Sequence, residues 1–191
     1  MFNSQPRKLL AGQLAPKFVA EDVMGKRVTS EYKDGRYLLL VFLRYSGCPW
    51  CNLAIHRLTL EYPILQENGC EVITFIQSPV SGIIENIYNR HARKPQFSIV
   101  ADPDSKYYDL YRVSPSHVAA VKSIRRVPHW LHSVKEHGFR QPTIDGSLFM
   151  VPASFLISVR TKKILKTSYG NDYYDKDAFM DIFESVFFKE L

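Results

Sequence analysis

Two of the three cysteines in this chain stand three residues apart, as Cys48-Pro49-Trp50-Cys51. If the segment opens a helix, the two sulfurs lie one turn apart and can close a disulfide. A helix N-terminus offers unpaired N–H groups and a partial positive charge. Both favour thiolate over thiol and draw a cysteine there below its free value of ~8.5. Cys48, the more N-terminal and by position the more exposed, is the expected nucleophile, with Cys51 as its resolving partner. Arg44, just before the loop, adds positive charge, and Trp50 is expected to face a substrate. The competing chemistry is metal binding. His129 and His132 form an H-x-x-H that would complete a Cys₂His₂ zinc set, although structural zinc sites space their histidines by three to five residues. Redox chemistry is the stronger reading, because the pair sits between a buried strand and a helix start. Cys70 reads as a core residue, with a resolving role as the secondary option, and His56 as a surface or packed histidine.

The elements that must position the pair follow from periodicity. Tyr37 to Leu43 (YLLLVFL) is a continuous apolar run and reads as a strand buried on both faces. A helix is expected from Pro49 to Asn68, with proline suited to its first turn, Pro63 as an internal kink and Asn68-Gly69 as its stop. Glu71 to Gln77 and Phe97 to Ala101 read as further strands. Gly82 to Arg93 and Tyr107 to Arg112 read as helices. Ser114 to Gly138 is basic and reads as a helical segment interrupted by Pro128. Ala153–Val159 and Ile164–Ser168 read as an antiparallel pair, and Asp177 to Lys189 as a closing amphipathic helix. The order β-α-β-α-β, insertion, β-β-α argues for an α/β fold with a mixed sheet. Residues 1–36 form a lead-in with short extended pieces that turn at Met24-Gly25-Lys26.

Composition sets the outer bounds. The chain has 191 residues, 46% hydrophobic and 23% charged, which suits one globular domain over 1–191 and excludes disorder as the main state. Three cysteines are too few for a disulfide scaffold. The formal charge of +6 permits an anionic partner, but no block of five like charges marks a nucleic-acid tail, so none is expected. The longest apolar run, Leu38 to Leu43, falls far short of the ~20 residues of a membrane span. Met1 to Phe18 lacks a signal-peptide pattern, so a cytoplasmic location is the default expectation. No cofactor or metal is called for, and a homodimer is allowed.

The stretch Gly35-Arg36-Tyr37-LLLVFLRYSG-Cys48-Pro49-Trp50-Cys51 resembles the active-site strand and loop of thioredoxin-like proteins. It is more similar still to the peroxiredoxin-like branch of the alkyl hydroperoxide reductase / thiol-specific antioxidant family. Gly12 to Phe18, Ala101 to Asp104, Tyr111 to Val113 and Pro152 to Ile157 add to the likeness, which runs from about Gly12 to Ser168. The resemblance implies a thioredoxin-like sandwich: a central mixed β-sheet flanked by helices, with a helical insertion over 114–140 before the strand that follows Pro152. It implies that Pro152 is a cis proline facing Cys48 and Cys51, positioning substrate with Trp50 and Arg44. It further implies a dithiol/disulfide cycle acting on a thiol, disulfide or hydroperoxide substrate, with thioredoxin or glutathione as external reductant. The alternative is a non-catalytic thioredoxin-like interaction or zinc-binding module. Three positions differ from the related patterns. Counting back from Cys48, Tyr45 stands where peroxiredoxins carry a threonine and Val41 where they carry a proline; counting back from Cys51, those places fall on Cys48 and Arg44; and Phe42 stands where thioredoxins bury an acid.

Overall fold

The apolar run Tyr37–Leu43 forms the central strand β3 of a sheet. Buried on both sides, it alternates its side chains between two layers. Leu39, Val41 and Leu43 face one layer, with Cys48, Cys51, Ile55 and Leu58. Leu38, Leu40 and Phe42 face the other, with Phe75, Tyr108, Tyr111 and Phe155. The computed structural model describes residues 8–116 and 144–170. Most of the expected 114–140 insertion and the expected helix at 177–189 lie outside the described residues.

A short hairpin precedes the sheet: β1 (Val19–Glu21) pairs antiparallel with β2 (Arg27–Thr29). The turn between them falls at the anticipated Met24-Gly25-Lys26, where Gly25 has φ +82. From β3 the chain enters helix α1 (Pro49–Glu67), which runs through Pro63 to within a residue of its expected end. It returns as β4 (Cys70–Ile76), parallel to β3. Helix α2 (Val80–Ile83) passes directly into a π-helical turn at Ile84–Tyr88. Strand β5 (Ser98–Ala101) lies parallel to β4, and α3 (Lys106–Leu110) follows. The Asp102 carboxylate, read from sequence only as a turn former, accepts the N–H groups of Lys106, Tyr107 and Tyr108 at 2.7–3.2 Å. That satisfies the orphan donors at the start of α3.

After residue 144 the chain runs along the end of β3 and enters β6 (Ala153–Ser158), antiparallel to β3, then β7 (Ile164–Tyr169), antiparallel to β6. The sheet order is β5-β4-β3-β6-β7. Phe42 stands opposite Ala153, so Pro152 lies where β3 ends and the Cys48 loop begins. Here the expectation of a cis proline is corrected: there is no cis peptide bond among the described residues, and Pro152 is trans. Pairing continues past the proline, since Gly170 N–H donates to the Pro152 carbonyl at 2.8 Å. Met150 is already bridged to Pro115, so the chain enters β6 in line.

The layer containing Phe42 is aromatic. Its ring stacks on Phe75 with centroids 4.7 Å apart and meets Tyr108 and Phe155 edge-on at 5.2 and 5.7 Å. The residue at the thioredoxin acid position therefore points away from the cysteine layer. A Phe42→Asp variant places an unpaired carboxylate among these rings. Denaturant unfolding is expected to show a loss of several kcal/mol, beyond ~4, with no gain in Cys51 reactivity.

Candidate active site

Cys48 is the residue that caps α1, with φ −69 and ψ 120, and Pro49 opens the helix. Cys51 follows one turn later. Both are buried, with Cys48 1% and Cys51 4% exposed. The expectation that Cys48 is exposed is thus corrected. Its sulfur faces the α1 layer of the core, and the neighbouring 144–151 segment packs alongside.

Three kinds of group stabilise a negative sulfur in that setting. Burial alone would push the Cys48 thiol up. A hydrogen bond from the Cys51 thiol, the Arg44 guanidinium and the N–H groups of Cys51 and Trp50 outweigh it and bring Cys48 down to about 6. Cys51 moves the other way: burial, its hydrogen bond to Cys48 and the negative charge there hold it well above the ordinary thiol range. The pair is therefore polarised, with Cys48 the thiolate and Cys51 the proton holder. A helix N-terminus beside a cation is the environment in which a thiolate becomes a ready nucleophile.

Arg44 supplies the cation and also ties the site together. It is 3% exposed. Its Nη1 donates to Cys48 Sγ at 3.6 Å, and its Nη2 donates to the Leu148 carbonyl at 2.6 Å. Its guanidinium lies over the Tyr45 ring, 5.2 Å from the centroid. One side chain thus links the sulfur to the segment leading into Pro152. A second link holds the same segment: Ser46 Oγ donates to Asp145 Oδ2 at 2.8 Å and accepts from Asn86 Nδ2 at 3.0 Å. The π-helical turn carries Asn86 inward, a use that recurs at functional sites. Close approach of the segment depends on Gly146, where a Cβ would come within 2.3 Å of the Gln77 carbonyl oxygen and 2.9 Å of Tyr45 Cβ.

The structure brings Cys48, Cys51, Trp50 and Arg44 together, with Pro152 at the adjoining end of β6. Trp50 is partly buried against the cysteine layer. Tyr45, at the peroxiredoxin threonine position, is 1% exposed. His56 is partly buried, its ring centroid 6.4 Å from that of His91. Cys70 takes no part. It pairs with Tyr37 at the opposite end of β3, roughly 20 Å along the strand at ~3.3 Å per residue, which removes the resolving option. His129 and His132 lie outside the described residues.

Sequence reading missed Ser46, Asn52, Asn86, His91 and Asp145. Asn52 had a local signal, since it sits four residues after Cys48 on the same helix face. The others had none, because the side chains with which theirs form hydrogen bonds are 39 to 99 residues away.

The electrostatics make a direct prediction. Alkylation of Cys48 by a small reagent should rise with pH to half its maximum near 6. In Arg44→Met the midpoint should move up by about one unit or more, as for other charge partners within hydrogen-bond reach. The Cys48 value is lowered on folding, so it stabilises the reduced protein above the ordinary thiol value of 9.0, and that contribution is lost as pH falls through about 6. Urea titrations of the reduced protein across that window check the sign.

The family model described as the AhpC/TSA family matches residues 11–162. Among curated relatives, the thiol-disulfide oxidoreductase ResA of Bacillus thuringiensis (strain Al Hakam) is 28% identical over 116 residues, 60% of this chain and 64% of the relative. The chain thus spans slightly less than two thirds of the length of that relative. Two solved structures share the fold. Peroxidoxin BcpB from Mycobacterium tuberculosis superposes with a TM-score of 0.61 at 13% identity, covering 90% of this chain and 95% of that one. A yeast mitochondrial 1-Cys peroxiredoxin superposes with a TM-score of 0.64 at 16% identity, covering 95% and 78%. The five-stranded mixed sheet flanked by helices is thioredoxin-like, and with four fifths of its length matched by the family model, the chain belongs to the AhpC/TSA family.

Proposed function

We propose that this protein is a thiol oxidoreductase that cycles Cys48 and Cys51 between dithiol and disulfide. The observation that carries the reading is the polarised pair: Cys48 on the helix N-terminus, 3.6 Å from the Arg44 guanidinium, with the proton-holding Cys51 one turn on. In disulfide exchange the Cys48 thiolate attacks one sulfur of the substrate, forming a mixed disulfide and expelling the other sulfur as a thiolate. Cys51 then attacks Cys48. The Cys48–Cys51 disulfide forms, and the second substrate sulfur leaves as a thiol, carrying the Cys51 proton. Two electrons from an external dithiol or from two thiols, with thioredoxin and glutathione as the candidates, restore the starting state; of the two protons released, one stays on Cys51 and the other goes through solvent to the substrate thiolate expelled first. Trp50, packed against the cysteine layer, and Pro152, at the adjoining end of β6, are the residues assigned to position the substrate. A cytoplasmic setting belongs to the same reading, in keeping with three cysteines in 191 residues, too few for a disulfide scaffold.

A second reading uses the same residues on a hydroperoxide. It is favoured by the depth of Cys48, 1% exposed, which suits a small substrate better than a folded protein. The thiolate attacks the terminal peroxide oxygen, the O–O bond breaks, and the leaving alkoxide takes a proton from solvent and departs as the alcohol. The resulting sulfenic acid condenses with Cys51, losing water and giving the same disulfide. The position where peroxiredoxins carry a threonine falls on Tyr45 counted back from Cys48 and on Cys48 counted back from Cys51, so neither register supplies that hydroxyl.

Mass spectrometry of the reduced protein after addition of a model disulfide or a hydroperoxide tests both routes. A Cys48–Cys51 disulfide, two mass units lighter, is expected. Cys51→Ala should accumulate the mixed disulfide from one substrate and the sulfenic acid from the other. Full turnover by Cys48→Ser would sink the proposal.

A further inference from the structure

A buried polar chain runs from the Cys48 loop to a histidine remote in sequence. Asn52 commits both amide protons to loop carbonyls: Nδ2 donates to Ser46 O at 2.7 Å and to Cys48 O at 3.0 Å. Carbonyl oxygens can only accept, which fixes the amide orientation and turns Oδ1 toward His91, whose Nε2 lies 2.8 Å away. An amide oxygen also only accepts, so Nε2 carries the ring proton and His91 is the donor. Asn52 and His91 are each 3% exposed. At that depth a lost partner leaves an unmet acceptor rather than a solvated one.

The surroundings keep the ring neutral. Burial, then the neighbouring His56 and Lys94, lower His91 to about 4. Lys94 is itself anchored on the His91 carbonyl at 2.9 Å. A neutral Nε2–H donor thus persists through the whole range in which a thiol enzyme works.

We infer that His91, acting through Asn52, is a positioning residue for Cys48. It fixes the amide that gathers the Ser46 and Cys48 carbonyls, so the loop turns its N–H groups, and not its carbonyl oxygens, toward the sulfur. Those N–H groups, from Trp50 and Cys51, are among the contributions that hold the thiolate. The inference rests on Cys48 being the nucleophile of the proposed cycle.

The test reads the sulfur directly. In His91→Leu the Asn52 oxygen loses its donor and the amide is released. The midpoint for Cys48 alkylation is expected to rise by about 0.5–1 unit, seen as a roughly two- to fivefold lower rate near pH 6. The equilibrium with glutathione should shift toward the disulfide, a tenfold change being about 30 mV. His91→Gln keeps an N–H donor and should restore both values. An unchanged midpoint in folded His91→Leu overturns the inference and leaves the dithiol cycle standing. Nitrogen NMR of the unmodified protein gives a readout that needs no variant. An Nε2–H tautomer at neutral pH is expected, and an Nδ1–H tautomer overturns the assignment. Alkylation reports the thiolate without any turnover, so failure of the proposed activity and failure of this inference remain distinguishable.

Discussion

A guanidinium and a sulfur buried side by side set the terms for this molecule. Arg44 and Cys48 are both removed from water, and each makes the other tolerable there. An isolated buried cation costs several kcal/mol, and a cysteine buried in apolar surroundings stays protonated. Together they form a charge-assisted contact that keeps the thiolate ready. The rest of the local architecture serves to hold these two atoms in place. The seven-residue strand β3 delivers Arg44 at its end, α1 begins at Cys48, and the segment before β6 accepts the second arm of the arginine.

The same contact joins the chemistry to the fold. Arg44 binds the sulfur through one nitrogen and the Leu148 carbonyl through the other, so the charge state of the sulfur and the seating of the 144–151 segment share a side chain. Ser46 and Asp145 make a parallel tie a few residues away. Beneath both, Asn52 gathers the loop carbonyls. The loop is thus tied through its carbonyls, through Ser46 and through Arg44, each to a different stretch of chain. This is how a loop between a strand and a helix can keep a fixed geometry.

Much of this was legible in the residues themselves. YLLLVFL announced a doubly buried strand, and Cys48-Pro49 announced a helix start, because both signals are local and rest on periodicity or on the special geometry of proline. The hairpin at Gly25 and the pair β6–β7 were readable for the same reason. The direction of Arg44 was not, since a side chain on the last turn of a strand can point either way until its partner is known. The depth of Cys48 and the trans bond at Pro152 were also hidden. The first depends on how the segment from Asp145 to Val151 packs across the sheet end, a contact between residues about one hundred positions apart. His91 carried no local mark at all.

Cys70 gains meaning from this arrangement by its distance from it. It sits at the far end of the sheet, 2% exposed, and burial pushes its thiol up to about 12. A reagent that needs thiolate meets Cys48 in the native fold but reaches Cys70 only when the sheet opens. One chain therefore carries two clocks of the same chemistry. One ticks with the state of the site, and the other with the unfolding of the scaffold that holds it.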